Sequence, residues 1–182
     1  MSHDWKQYFP YPEVRKEQQE IIDFALDAFL EQDKKFVIVE GGTGIGKSAV
    51  GFTIAQYCNQ TMNGTGTYYL TTQKVLQEQY MRDFKKSGMF NLHSSTNFRC
   101  KYYKHKTCAM ARREMKVSQD NKFRQCCGGT GCRYRKAKQD FMDAEHGVTN
   151  FSYFLAETHY SQQLEPRTMM VVDECHNTEI QL

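Results

Sequence analysis

The chain has 182 residues, 40% of them hydrophobic, 13% aromatic and 25% charged, with a formal net charge of +3. That length suits one domain carrying an insertion, and this aromatic content excludes a chain that never packs. No apolar run approaches the roughly 18 residues of a membrane-spanning helix, and Met1 to Pro12 has no basic-then-apolar signal pattern, so a cytoplasmic protein is expected.

In chain order, Glu13 to Glu31 carries Val14, Ile21, Ile22, Ala25, Leu26 and Phe29 at helical spacing. Phe36-Val37-Ile38-Val39 is a short apolar run suited to a buried parallel strand. A glycine-rich turn spans Gly41 to Gly46, and a helix is predicted from Lys47 to Asn59. Asn63 to Gly66 reads as a loop, Thr67 to Thr71 as a strand, and Gln73 to about Lys86 as a helix. Lys86 to Asn97 has weak periodicity and reads as the way into an insertion. Arg133 to Glu145 is read as a helix, His146 to Asn150 as a strand, Phe151 to Glu157 as a helix and Thr168 to Val172 as a final apolar strand. Strand, helix, strand, helix, insertion, strand is the pattern of a parallel α/β fold.

Gly41-Gly42-Thr43-Gly44-Ile45-Gly46-Lys47-Ser48 fits G-x-x-x-x-G-K-[ST] in full. Glycines let successive backbone N–H groups turn inward around phosphate oxygens, and the following helix N-terminus adds positive potential. Lys47 would reach the β- and γ-phosphates of ATP, and the Ser48 hydroxyl would bind Mg²⁺. Asp173-Glu174 closes the last apolar strand. Asp173 would hold Mg²⁺, and Glu174 would orient or deprotonate the attacking water.

Charge is unevenly placed. Arg99 to Lys138 holds 13 Lys or Arg and two acids, whereas the remainder holds 11 and 19. A basic block with Tyr102, Tyr103, Phe123 and Tyr134 interleaved points to a polyanion, single-stranded nucleic acid in particular. Five of the seven cysteines, Cys100, Cys108, Cys126, Cys127 and Cys132, lie in the same block. An odd count without a secretion signal argues against a disulfide scaffold and for a metal site, zinc or iron–sulfur. Cys58 reads as a small buried hydrophobe and Cys175 as a packing residue.

Asp173-Glu174-Cys175-His176 resembles the D-E-x-H box of superfamily 2 helicases. Tyr11 to Gln18 resembles their R-x-x-Q element, which implies that Gln18, with Arg15 nearby, reads the adenine edge. Leu70 to Gln79 resembles the motif that touches the nucleic-acid backbone, with Thr72 and Gln79 as contacts; a plain helix cap is the competing account of Thr72. The cysteine block, Ser95 to Cys100, Cys132 to Ala137 and Val148 to Leu155 together resemble the iron–sulfur insertion and re-entry segment of the XPD and DinG helicases.

That resemblance implies a RecA-like P-loop NTPase domain at residues 1–92 and 134–182, interrupted by a small metal-binding insertion at 93–133. It implies a [4Fe–4S] cluster on Cys100, Cys108, Cys132 and either Cys126 or Cys127, with Cys126 preferred. Lys101, Arg112, Arg113 and Arg133 would guide single-stranded DNA, and the whole enzyme would unwind DNA in the 5′ to 3′ direction. A second RecA-like domain, from a longer chain or a partner, is expected to complete the motor. Two rivals stand beside this reading: a zinc-containing nucleic-acid-binding module, and a P-loop ATPase or kinase of unrelated function.

Overall fold

The computed structural model describes residues 3–117 and 131–177. Four strands, β1 (Thr67–Thr71), β2 (Met89–Leu92), β3 (His146–Asn150) and β4 (Met169–Val172), form a parallel sheet in the order β2-β3-β1-β4. Its helices are α1 (Lys16–Leu26), α2 (Lys47–Thr61), α3 (Lys74–Phe84), α4 (Cys108–Val117), α5 (Arg133–Asp143) and α6 (Phe151–Ala156). A parallel sheet with flanking helices is consistent with the expected RecA-like architecture. The chain divides into two compact units, residues 1–69 with 166–173 and residues 70–165 with 174–182.

In the first unit, α1 lays Ile22, Ala25 and Leu26 against Ala49, Val50, Ile54 and Cys58 of α2. A π-helical turn, Asp27–Glu31, extends α1 to the end expected from its periodicity. α2 buries residues over most of its circumference because it packs on both α1 and β4. Gly51 makes the second contact possible: a Cβ there would lie 3.0 Å from Val171 Cγ1. Asn59 ties the far end of α2 to β1, donating to Thr67 Oγ1 at 2.6 Å and accepting from Gly66 N at 3.2 Å. The residues before α1 belong to this core. Trp5 is 1% exposed, and its indole N–H donates to Asp23 Oδ1 at 2.6 Å. Burying an indole of this size contributes roughly 4–6 kcal/mol before ordering costs.

The strand expected at Phe36–Val39 is not formed. The segment adopts no regular element, and only Val37 packs on the core. Phe36 is 87% exposed and Ile38 84%. An apolar β-branched run satisfies the pattern for a strand, yet a strand exists only when a neighbour takes its backbone bonds. Among the described residues, no strand pairs with this one.

In the second unit, β2 and β3 pair in parallel, with Met89 opposite His146 and Leu92 opposite Thr149. The Thr149 hydroxyl donates to Leu92 O at 2.7 Å. β2 lies where only an approach to the insertion was expected, so Lys86 to Asn97 needs correcting on this point. Its four residues are too few to show a period. α3 packs on both strands through Gln77, Tyr80 and Phe84, one helical face at i, i+3 and i+7. β1, whose first three residues belong to the first unit, is buried at every position. No helix among the described residues is long and apolar enough to cross a membrane.

Candidate functional site

The phosphate-loop sequence lies wholly in the first unit. Gly46 caps α2 in the left-handed conformation, φ 82°, and its carbonyl accepts from Ala49 N at 3.0 Å and Val50 N at 3.2 Å. Gly44 is also left-handed, at φ 81°. These angles suit glycine, and they turn the loop into the first turn of α2. Lys47 curls back over the loop, its ammonium donating to Gly41 O at 3.1 Å and Gly42 O at 3.3 Å. Gly42, Thr43 and Gly44 are exposed, and Ile45 and Ser48 are half-buried.

Arg15 and Gln18 hold this loop from α1. The Arg15 guanidinium donates to Gly44 O at 2.8 Å. The Gln18 carboxamide donates to Ile45 O at 2.9 Å and accepts from Arg15 N at 3.0 Å, the reciprocal half of a capping box. Gln18 is buried, so the carboxamide is a structural clamp on the loop. An amide has two donor hydrogens and two acceptor lone pairs, so one of each remains for a ligand. A cavity of about 420 Å³ opens beside this clamp, lined by Tyr11, Pro12, Glu13 and Arg15 and by Gln18 with Gly44 and Gly46.

β4 brings Asp173 to the same unit. Val171 packs on Gly51, one helical turn after Lys47, and Asp173 follows two residues on. Glu174, the next residue, has a left-handed backbone, φ 55°. Such a conformation is uncommon for a residue other than Gly, Asn or Asp and marks a forced turn at the strand end. Glu174 Oε2 lies 3.4 Å from His176 Nε2. Cys175 is exposed, which corrects its expected packing role: the turn at Glu174 sends the chain off the strand and out of the core.

Among the expected nucleic-acid contacts, Thr72 sits between β1 and α3, its carbonyl accepting from Asn150 Nδ2 at 3.1 Å. The residue that caps α3 is Gln73, without a side-chain bond. Gln79 is half-buried, whereas Gln77 is fully buried with neither carboxamide atom bonded. Helical phase with Tyr80 and Phe84 was the signal that singles out Gln77. Lys101, Arg112, Arg113 and Arg133 are exposed.

Cys100, Cys108 and Cys132 are all buried. Cys100 packs on Ala111 and Met115 of α4 with Tyr103 against it, and its sulfur accepts from Tyr103 N at 3.5 Å. Cys108 opens α4 and Cys132 caps α5. Burial, then the adjacent Cys132 thiol, pushes the Cys108 thiol up to about 11. Among the described residues, no group of three or more His, Cys, Asp or Glu is arranged to hold a metal ion. Cys126 and Cys127 lie outside the described residues.

The exit from the cysteine block is fixed by a polar network that the sequence did not reveal. Tyr134 O–H meets Tyr153 O–H at 2.6 Å and donates to Glu157 Oε1 at 3.3 Å. Lys138 donates to Glu157 Oε2 at 2.5 Å and to Gln163 Oε1 at 2.7 Å. Burial alone would raise Glu157, but hydrogen bonds from Lys138 and Ser161 hold it below the usual carboxylate range. Burial pushes Tyr134 up to about 12.

The arrangement in the first unit is a P-loop with an acidic residue at the end of the strand packed on its helix. The family model of the type III restriction enzyme res subunit matches residues 11–181. The chain belongs to this family. Membership makes it a superfamily 2 helicase motor domain, within a family of helicase-like, ATP-dependent nucleic-acid enzymes. A search of curated proteins finds no match to the chain. The res-subunit match spans the cysteine block as well as the phosphate loop, so the block lies inside the matched region.

Proposed function

We propose that this chain is the first motor domain of a 5′ to 3′ DNA helicase that couples ATP hydrolysis to movement on a single strand. The observation that carries the nucleotide part is the clamped phosphate loop, with β4 packed against its helix at Gly51 and Val171. In this reading Gly42 to Gly46 offer backbone N–H groups to the phosphates. Lys47 leaves Gly41 O and Gly42 O to meet the β- and γ-phosphates. Ser48 and Asp173 hold Mg²⁺, Glu174 orients the attacking water, and the free donor and acceptor of Gln18 read adenine beside Arg15. Thr72 and Gln79 bind the strand's backbone, and Lys101, Arg112, Arg113 and Arg133 guide it. The domain limits 1–92, 93–133 and 134–182, and a second RecA-like domain completing the motor, belong to the same proposal.

The iron–sulfur part rests on donor chemistry. Three buried sulfurs lie in one small insertion, with backbone N–H groups of Tyr103 and Tyr134 directed at two of them. N–H donors to sulfur favour thiolate ligands. Cys100, Cys108 and Cys132 would hold the [4Fe–4S] cluster with Cys126 or Cys127. When bound, the cluster cross-links an insertion too small to bury a core of its own. Anaerobic purification followed by iron and sulfide analysis tests this. About four of each per chain supports it, whereas a single zinc and no colour supports the zinc module instead. For the motor, Lys47→Ala is expected to abolish nucleic-acid-stimulated ATP hydrolysis, and undiminished turnover in that variant refutes the assignment.

A further inference from the structure

Residues 94–107 close a loop on themselves. Arg99 and Thr107 form an antiparallel bridge, Cys108 N donates to Phe98 O at 2.7 Å, and Cys100 N donates to Lys106 O at 2.9 Å. Between this loop and the 3-10 turn Ser95–Asn97 lies a cleft of about 280 Å³, lined by Thr96, Asn97, Phe98, Arg99, His105, Lys106 and Thr107. All of these side chains except Phe98 are polar or cationic. Lys106 pairs with Glu114 and lies 5.6 Å from the Tyr103 ring centroid. Asn97 is fixed by Lys74, which donates to its Oδ1 at 3.1 Å, and by its own bond to Ser94 Oγ at 3.1 Å. Arg99 and His105 are exposed, and among the described residues neither side chain has a bonded partner.

Electrostatics sets the kind of occupant. Residues 94–117 hold seven Lys or Arg and one acid, Glu114, which Lys106 already neutralises. The cleft therefore presents an unpaired guanidinium, an imidazole and two hydroxyls with no free carboxylate among them. A positive cleft rich in hydroxyl and N–H donors suits a tetrahedral oxyanion. Its surroundings point to a chain of such anions. Lys101, Tyr102 and Lys104 are exposed on the loop that walls it, and a cationic track with an exposed aromatic ring matches a phosphate backbone with bases to stack.

We propose that this cleft is a subsite for one phosphodiester of a single-stranded nucleic acid, with Arg99 and His105 as its donors. It adds residues absent from the contacts assigned above, and it rests on the nucleic-acid part of the proposed function. The test is anisotropy of a labelled oligothymidylate on the purified chain across a salt titration. Arg99→Gln with His105→Gln is expected to weaken binding about tenfold and to lower the magnitude of the log–log salt slope by about 0.7, the value for one phosphate on a single strand. Unchanged affinity and slope in that variant overturns the subsite while leaving the nucleic-acid reading intact. An equal loss with Lys35→Gln, an exposed lysine outside the insertion, would reduce the effect to bulk charge and also overturn it. Displacement of the oligonucleotide by inorganic phosphate at constant ionic strength would assign the cleft to free phosphate instead. Absence of any salt-sensitive binding by the unmodified chain would defeat the nucleic-acid reading itself.

Discussion

Replacing Gly46 with Ala tests the clamp between α1 and the phosphate loop. The new Cβ would lie 2.5 Å from Gln18 Nε2, at a residue whose φ is 82°. Holding an L residue there costs roughly 1–2 kcal/mol. Displacing the carboxamide breaks its bonds to Ile45 O and from Arg15 N, at about 1 kcal/mol each. The Gly46→Ala variant is thus expected to lose about 3–4 kcal/mol, and Gln18→Ala about 2 kcal/mol. Independent losses would sum to about 5–6 kcal/mol in the double variant. With no carboxamide left to displace, however, the double variant should lose only about 3–4 kcal/mol, a coupling of about 2 kcal/mol. Trp5 is the only tryptophan and is buried in the same unit, so its fluorescence during urea unfolding reports this transition. Additivity of the two substitutions within about 0.5 kcal/mol would show that the loop and α1 are not joined through Gln18.

Three further outcomes are expected. Lys138→Met should destabilise the second unit by about 3–5 kcal/mol, because it strands a largely buried carboxylate; Lys138→Met with Glu157→Gln should recover much of the loss, both read by chemical denaturation. Since Glu157 is held below its unfolded value, its contribution is present above the ordinary carboxylate range and is lost as pH falls through the depressed value; Glu157→Gln should flatten that acid limb of a stability–pH curve. Phe36→Ser and Ile38→Ser should each change stability by no more than about 0.5 kcal/mol, whereas Val37→Ser should be clearly destabilising, in thermal melts. Equal losses at all three positions would mean that the segment is a buried strand.

Local chemistry was readable in the sequence, and non-local pairing was not. The phosphate loop carries its own conformational code in Gly44, Gly46 and Lys47, and both β1 and β3 end at the residues their patterns suggest. Phe36 to Val39 carries the same kind of pattern but has no partner strand among the described residues, and no local property of the four residues reports that. β2 is four residues long and revealed itself only through its pairing with β3. Trp5 lies in a stretch for which no element was expected, and its burial depends on packing against α1 and α2. At the candidate site, Gln18 drew attention as a reader of adenine through the R-x-x-Q resemblance. Its attachment to Ile45 O is a contact across 27 positions, which no motif spells out. Gln77, by contrast, was legible in principle, because it shares a helical face with Tyr80 and Phe84.

The bonds from Arg15 and Gln18 to Gly44 O and Ile45 O have a consequence for ligand affinity. A glycine-rich loop free to wander would have to surrender its conformational entropy at the moment of binding. Here much of that entropy is surrendered during folding, when α1 docks. The apparent dissociation constant of any phosphate ligand then scales inversely with the fraction of molecules whose first helix is docked. Substitutions on the buried face of α1, at Ile22 or Leu26, would therefore weaken nucleotide binding without touching the nucleotide.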